Sequence, residues 1–255
     1  MNQNAYFCLI NAFIMILCLE TATPTCSVAL NDGNQTLALR ECKGQNAHAE
    51  KITLFIKEVL DETGVGYEKL DAVAVSKGPG SYTGLRIGVS TAKGICYAAE
   101  KPLIAVDTLQ AMAVGMKASL GAALEPTDLL VPMIDARRME VYCSVFDMRL
   151  NRIKDTSAVV FDEAAPGAPF TGELSFLNAR LNAHDYLFGD GAPKLAPLFA
   201  DIPQVHIVND FGPSAAFMAS LSETAFRAGD FVDVAYFEPF YLKDFVAGKP
   251  HVKGL

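Results

Sequence analysis

The sequence lacks the patterns that build the commonest metal and nucleophile sites. Its six cysteines contain no CxxC pair, its four histidines form no HExxH motif, and no GxSxG elbow is present. These absences disfavour a metalloenzyme and a serine hydrolase. Most of the cysteines lie inside apolar runs, where a free thiol behaves as a small hydrophobe, so we expect a reduced, cytoplasmic protein.

Basic residues are also scarce. The chain has 21 lysines and arginines against 29 acidic residues, which gives a net charge of -8. This is the wrong sign for a protein that binds nucleic acid by neutralising phosphates. If RNA is involved, we therefore expect a partner to hold it.

Positive charge is missing altogether near the amino terminus, where no lysine or arginine precedes Arg40. The apolar run at residues 5–19 thus lacks the basic region of a signal peptide, and it is shorter than the roughly 20 residues that cross a bilayer. We predict a buried first strand at residues 15–19 and an extension at residues 1–14, with Met15 as a candidate natural start. A cleavable signal is the less favoured alternative, and no membrane association is expected.

The chain has enough length and apolar content for one large or two modest globular domains, with 255 residues of which 51% are hydrophobic. Its periodicity predicts the order β-β-β-α-β-α-β, and a similar order then follows. The first set comprises strands at 15–19, 26–30 and 36–40, a helix at 47–63, a strand at 71–76, a helix at 85–99 and a strand at 102–106. The second comprises a helix at 108–120, strands at 129–134, 141–146 and 157–161, a helix at 174–183, a strand at 186–188, a short helix at 193–199, a strand at 205–208 and a last helix at 214–228.

This repeated order predicts two α/β domains of similar plan that face each other. We place the extension at 1–14, the first domain at 15–108, and the second domain, with a carboxy-terminal helix and tail, at 109–255. No Ser- or Pro-rich spacer separates them. The domains should therefore abut.

A glycine-rich segment at 77–88 lies between a predicted strand and a predicted helix, and it has two interpretations. Its backbone N–H groups and the helix dipole can bind phosphate. However, the segment fits neither GxGxxG nor GxxxxGK[ST], and Pro79 has no N–H. The alternative, which we favour, is that glycines allow a tight turn and a close approach of the helix, aided by small residues such as Gly88 and Gly94.

Two further turns would meet this segment in a cleft between the domains, which is a usual place for a ligand. In one of them, Glu20 could hold a nucleotide's metal ion through water, or the turn could simply cap free backbone groups. The candidate cleft residues are Glu20, Thr21, Gly78, Gly80, Ser81, Gly189, Asp190 and Gly191.

A charged turn at residues 135–138 separates two apolar strands. Asp135 with Arg137 or Arg138 could form a catalytic group. Such a turn can equally be a hairpin whose charges face water or pair for about 0 to 1 kcal/mol. The sequence leaves both interpretations open.

Five segments carry a resemblance to a known family. They are ILCLETATPTCSVAL (16–30), SKGPGSYTGLRIG (76–88), PMIDARRMEVY (132–142), GDGA (189–192) and EPFYLK (238–243). From residue 15 to about 245 the chain resembles the TsaB (YeaZ) family, which belongs to the bacterial machinery that forms N6-threonylcarbamoyladenosine beside the anticodon of tRNAs reading ANN codons.

The resemblance implies an actin/Hsp70/sugar-kinase (ASKHA) type fold of two duplicated domains and a non-catalytic role. The implied partners are the larger paralogue TsaD, which performs the carbamoyl transfer, the ATPase TsaE, and a second copy of the chain. Contact with tRNA would come only through the complex. No cofactor is expected, and nucleotide binding stays open because the glycine-rich segment has Pro79 and no lysine after its last glycine.

The catalytic paralogue binds its metal with two histidines one helical turn apart, and this chain has Thr108 and Met112 at those places. A hydroxyl and a thioether cannot replace two imidazoles on a divalent ion. The resemblance therefore implies no metal site and no transfer chemistry by this chain alone. An active ATPase or small-molecule kinase is the alternative, and a metallopeptidase is the least favoured.

In the family, the first two helices of the first domain form the self-dimer and the surface that meets TsaD. The corresponding apolar residues here are Ile52, Phe55, Ile56, Val59 and Leu60 on the first helix and Leu85, Val89, Ala92, Ile95 and Cys96 on the second. Each stripe can also be ordinary core packing against the chain's own sheet. Leu54 and Leu60 lie partly off the first stripe, as do Ile87 and Tyr97 on the second helix. We expect Ile56→Asp or Leu60→Asp to weaken association while leaving an isolated domain at least partly folded.

Overall fold

A computed structural model describes residues 14–44, 47–121, 124–161 and 183–243. The first half of the chain forms a mixed five-stranded sheet with strand order β3-β2-β1-β4-β5. Its strands are β1 (Met15–Glu20), β2 (Thr25–Asp32), β3 (Gln35–Lys43), β4 (Ala72–Gly78) and β5 (Leu103–Asp107), and its helices are α1 (Ala47–Thr63) and α2 (Tyr82–Ala99).

The predicted antiparallel meander is confirmed. β1 pairs with β2 and β2 pairs with β3 in antiparallel register, and the turn between β2 and β3 contains Gly33 at φ 55°. On its other side β1 pairs in parallel with β4. β1 therefore lies in the middle of the sheet, and its near-continuous apolar sequence reflects burial on both faces.

Local sequence signals explain where the helices begin and end. α1 ends at Thr63 because Gly64 follows in the left-handed region, at φ 66°. α2 begins after Ser81, whose hydroxyl accepts a hydrogen bond from the Gly84 N–H. Helix α3 (Thr108–Leu120) begins after Asp107, whose carboxylate accepts from the Gln110 N–H. The predicted helices at 47–63 and 108–120 are confirmed to the residue.

The second half of the chain forms another mixed five-stranded sheet, with order β10-β9-β6-β7-β8. Three antiparallel strands again come first, and two parallel strands follow. The helix predicted at 174–183 falls almost entirely outside the described residues. The strands are β6 (Leu129–Asp135), β7 (Glu140–Phe146), β8 (Arg152–Val160), β9 (Asp185–Phe188) and β10 (Val205–Val208), and the helices are α4 (Ala196–Phe199) and α5 (Ala219–Ala228).

The packing of the carboxy-terminal helix differs from the predicted domain division. The short 3-10 turn Ala215–Met218 and α5 cover the first sheet, where Ala215 and Met218 join a core with Ile16 and Ile104. The Ala215 N–H also donates to the Ser27 hydroxyl of β2. Chain order assigned this helix to the second domain, but its apolar face is buried against the open face of the first.

Helix α3 joins the two domains. Ala111 packs in the core of the first sheet, whereas Leu109 and Met112 pack in a core of the second. At the start of this helix, the Asp107 carboxylate forms an ion pair of 3.0 Å with Arg152 of β8. Within the described part of the chain, no helix is long and apolar enough to cross a membrane.

Candidate functional site

A cleft of about 540 Å³ lies between the two domains. It opens where the parallel strands of both sheets end, as the sequence predicted for the turns there. Of the candidate cleft residues, Gly80, Ser81 and Asp190 line this cleft. The full lining is Ala22, Thr23, Pro24, Gly80, Ser81, Tyr82, Thr83, Ile134, Asp135, Ala136, Arg137, Tyr142, Asp190, Tyr241, Leu242 and Lys243.

The glycines of the segment before and within α2 serve close packing. A Cβ atom at Gly80 would clash with the carbonyl oxygen of Ala22, and one at Gly84 would clash with the carbonyl oxygen of Thr21. A Cβ at Gly88 would strike the hydroxyl of Thr21. The glycines therefore let α2 lie directly against the turn that follows β1. This agrees with the interpretation that we favoured from the sequence.

The remaining candidate glycines are also packing positions. A Cβ at Gly78, which has φ 109°, would lie 2.6 Å from the Phe240 carbonyl oxygen. Gly189 is pressed against the carbonyl oxygen of Met133, and a Cβ at Gly191 would lie 2.9 Å from the Ile134 carbonyl carbon. At these three positions the missing side chain makes room for neighbouring backbone.

Glu20 lies behind the cleft wall rather than in it. Its side chain is fully buried, and one carboxylate oxygen accepts a 2.6 Å hydrogen bond from the Ala22 N–H. The other carboxylate oxygen and the nearby Thr21 hydroxyl have no partner in the structure. Burial raises the pKa of the Glu20 carboxyl to about 7. The carboxyl is therefore not among the groups that line the cleft.

The charged turn between β6 and β7 is a tight hairpin. Arg137 and Arg138 both have positive φ, at 70° and 48°. The Asp135 carboxylate accepts from the Arg137 N–H and forms an ion pair with Lys194. Asp135 also donates its own N–H to Asp190, whose pKa is raised mainly by burial. Asp135 is thus paired with Lys194 rather than with either arginine side chain, and Arg137 lines the cleft.

Sequence reasoning did not predict that Lys194 pairs with the cleft residue Asp135, or that the carboxy-terminal segment at residues 241–243 lines the cleft. This segment runs past α2: the Phe240 N–H donates to the Lys77 carbonyl over 2.7 Å, and Arg86 donates to the Tyr241 hydroxyl over 3.3 Å. Lys243 then crosses to the second domain and pairs with Glu140 at 2.5 Å. The motif EPFYLK marks this segment in the sequence, but the motif does not indicate which surface of the protein the segment contacts.

Thr108 and Met112 are both core residues. Thr108 is fully buried and its hydroxyl has no partner in the structure. Met112 is fully buried in the second domain, where a Cβ at Gly189 would lie 2.6 Å from its methyl carbon. The described residues contain no group of three side chains suited to hold a metal ion.

The residues assigned to partner binding lie almost entirely in the chain's own core. Nine of the ten side chains are buried, and Ile95 is half-buried against the same core. The outer faces of the two helices instead expose Leu54 (43%) and Tyr97 (84%), and Ile87 is half-buried. A helix buries one face against its sheet, so only the second face of each of these two helices is open to contact.

Fold and cleft together define a two-domain α/β protein with a mixed five-stranded sheet in each half and a ligand-sized cleft between them. Two solved structures share this architecture. YeaZ from Pseudomonas aeruginosa is 25% identical, with a TM-score of 0.69 over 90% of this chain and all of that chain. A protein from the same organism with similarity to peptidase YeaZ has a TM-score of 0.71 over the same shares.

Sequence comparison identifies the family. The family described as TsaD, tRNA N6-adenosine threonylcarbamoyltransferase, matches residues 43–181, which is more than half of the chain. The tRNA threonylcarbamoyladenosine biosynthesis protein TsaB of Escherichia coli (strain K12) is 32% identical over 240 residues, covering 92% of this chain and 96% of that protein. The chain belongs to the TsaB family of tRNA threonylcarbamoyladenosine biosynthesis proteins.

Proposed function

We propose that this chain is a non-catalytic subunit that pairs with a TsaD-type enzyme in the formation of threonylcarbamoyladenosine on tRNA. The observation that carries the proposal is the packing of Thr108 and Met112. Where the resemblance places two metal-binding histidines, this chain has a buried hydroxyl and a thioether that fills the core beside Gly189. Neither group ligates a hard or borderline divalent ion well, so the contribution of the chain should come from the partner it contacts.

The contact surface that we propose is the outer face of α1 and α2. The two helices lie against each other. Leu54 on α1 and Tyr97 on α2 expose large apolar side chains that the chain's own fold does not cover. A partner helix pair would bury them, and the same face would serve a homodimer of this chain. This replaces the ten core residues with exposed ones as the predicted contacts.

The shared plan of the two sheets supports the finer assignment to the actin-like fold with duplicated domains. In each sheet the first three strands are antiparallel, and the next two add in parallel beside the first. The net charge of -8 supports contact with tRNA through the complex, which would also include a TsaE-type ATPase. The five described cysteines are free thiols, which fits the cytoplasm.

A reconstituted modification assay tests the proposal. Unmodified tRNA, threonylcarbamoyl-adenylate, TsaD and TsaE are incubated with or without this chain, and the modified nucleoside is measured. We expect product only when this chain and TsaD are both present. Product formed by this chain without TsaD would contradict the non-catalytic role, and full product without this chain would contradict any role.

An active ATPase or small-molecule kinase is a second candidate, which one observation favours. The Ser81-capped start of α2 opens on the cleft together with Arg137 and Lys243, and such groups attract phosphate. We rank it lower because Lys243 is already paired with Glu140 and Glu20 is buried behind the wall. Nucleotide turnover by the chain alone, measured as released phosphate, distinguishes the two candidates.

A further inference from the structure

Two cysteines lie directly opposite each other on neighbouring strands of the first sheet. Cys26 of β2 and Cys42 of β3 are partners in the antiparallel register, and both are free thiols. Both side chains are on the same face of the sheet, because both pack against the core cluster that includes the buried side of α1. Neither residue lines the cleft.

Neighbouring contacts fix the register of the two strands around this pair. On the opposite face of the sheet, the Ser27 hydroxyl donates to the Glu41 carboxylate over 2.7 Å. Near the end of the strands, the Gly44 N–H donates to the Pro24 carbonyl oxygen over 3.2 Å. Hydrogen-bonded pairs alternate along an antiparallel ladder, so the two cysteines, two positions further along, form a hydrogen-bonded pair as well. The folded chain therefore holds the two thiols beside each other.

The backbone spacing at such a pair is close to what a disulfide requires. Opposite Cα atoms in a hydrogen-bonded pair are about 5.5 Å apart, which is a common spacing across a disulfide. The Cβ atoms are about 4.5–5.5 Å apart, whereas a disulfide needs about 3.5–4.5 Å, so the strands must approach by about 1 Å. β3 is the edge strand of the sheet and can move toward β2 without displacing another strand. A bond that needs such a shift is strained and hence easily reduced.

We propose that Cys26 and Cys42 form a redox modification site, which hydrogen peroxide closes to a disulfide and small thiols reopen. The two sulfurs supply everything the closed form needs, because the register already aligns them. A transient, redox-sensing bond is also the usual kind of disulfide in the cytoplasm, which is the compartment that we propose for this chain.

The two thiols have different roles in the reaction. Cys42 is half-buried and can meet a small oxidant, whereas Cys26 is fully buried. Burial above all raises the pKa of the Cys26 thiol to about 12, so Cys26 does not attack peroxide itself. Its part is to resolve the oxidised Cys42, and its fixed position opposite Cys42 favours this intramolecular step.

The reaction has two steps, and each releases one water. The Cys42 sulfur first attacks a peroxide oxygen and the O–O bond breaks, which gives a sulfenic acid, while the thiol proton leaves with the other oxygen as water. The Cys26 sulfur then attacks the Cys42 sulfur and the S–O bond breaks, and the Cys26 proton leaves with the hydroxyl as the second water. The two sulfurs together lose two electrons, which peroxide accepts.

Peroxide treatment of the folded full chain, freed from reductant, tests this site. The remaining thiols are alkylated after denaturation, the chain is digested without reduction, and the peptides are identified by mass spectrometry. We expect a cross-linked peptide that joins Cys26 to Cys42 and has lost two hydrogens, while Cys18, Cys96 and Cys143 are recovered in alkylated form. Dithiothreitol should restore both thiols of the pair.

The matched variants are Cys26→Ala and the control Cys143→Ala. Cys143 is also a fully buried strand cysteine, but its partners in register are Met133 and Ser157. In Cys26→Ala the cross-link should be lost and the sulfenic acid at Cys42 should accumulate, where dimedone traps it. The control should form the cross-link as the unchanged chain does. Circular dichroism verifies that each variant is folded.

Three results would overturn the proposal. They are the absence of a Cys26–Cys42 cross-link in the folded chain, a cross-link that forms only after unfolding in urea, and equal dimedone labelling of Cys42 in Cys26→Ala and in the unchanged chain. The first two need only the unchanged chain, so they decide the matter even if a variant fails to fold.

Discussion

The cleft wall and the outer face of the helix pair differ in whether a sequence motif marks them. The wall carries the conspicuous motif, yet Gly80, Gly84 and Gly88 are used to bring α2 against the turn after β1. The helix face carries no motif, yet it leaves Leu54 and Tyr97 uncovered. A distinctive sequence can thus reflect tight packing, while an interaction surface is recognised by apolar residues that the fold leaves exposed.

Substitutions on the two faces of α1 give the largest expected contrast. Ile56→Asp places a charge in the core and should lower the free energy of unfolding by at least about 3 kcal/mol, because the side chain is 2% exposed. Leu54→Asp, on the exposed face, should change it by less than about 0.5 kcal/mol. Urea denaturation measures both values.

Substitutions at the exposed residues of the two helices test the partner surface. Leu54→Asp should remain folded and lose co-purification with TsaD, and Tyr97→Asp should behave in the same way. Tyr236→Asp is the control, because Tyr236 is equally exposed but lies outside both helices. If Leu54→Asp and Tyr97→Asp still bind TsaD like the unchanged chain, the outer face of the helix pair is not the contact.

Glu20, which is buried behind the cleft wall, gives the next largest effect. Burial raises its folded-state pKa from 4.5 to about 7, so between these pH values the folded chain keeps a proton that the unfolded chain has released. Stability from this group is therefore present below pH 4.5 and is lost as the pH rises to 7. The total loss is on the order of 3 kcal/mol.

Glu20→Gln should remove this pH dependence, because an amide does not titrate in this range. Denaturation curves collected across the same pH range measure the change, with Glu68→Gln on the surface as the control. An unaltered slope in Glu20→Gln would show that the carboxyl is ionised in the folded chain throughout.

The smallest expected effect comes from two glycines on α2, where wall and helix face meet. Gly84→Ala should lower the free energy of unfolding by about 1–3 kcal/mol, because the new methyl group would clash with the Thr21 carbonyl oxygen. Gly94→Ala meets nothing within 4 Å and should raise it by about 0.5–1 kcal/mol. Thermal or urea unfolding that gave both variants the same sign would refute the packing role of Gly84.

The sequence predicted local structure well, because local signals decide it. Helix α1 could be placed from its apolar period and Gly64, and the meander from its turn residues. The packing of α5 on the first sheet could not be predicted, because the order of elements along the chain does not determine which sheet a carboxy-terminal helix covers. Lys194 was missed for the same reason: its pairing with Asp135 joins residues 59 positions apart.

The candidate site was predicted in outline only. The sequence placed Ser81 and Asp190 at a cleft, since turns after parallel strands meet at one sheet edge. It could not show that Glu20 is fully buried and does not line that cleft, or that nine of the ten helix residues are buried in the core. Both facts depend on the rotation of a side chain or a helix about its axis, which an apolar stripe alone does not reveal.

The residues that lead to Lys243 belong to neither sheet, yet Tyr241 contacts α2 and Lys243 pairs with Glu140 of the second domain. They therefore form a bridge between the two domains in addition to α3, so a substitution in this short stretch can affect both halves of the molecule.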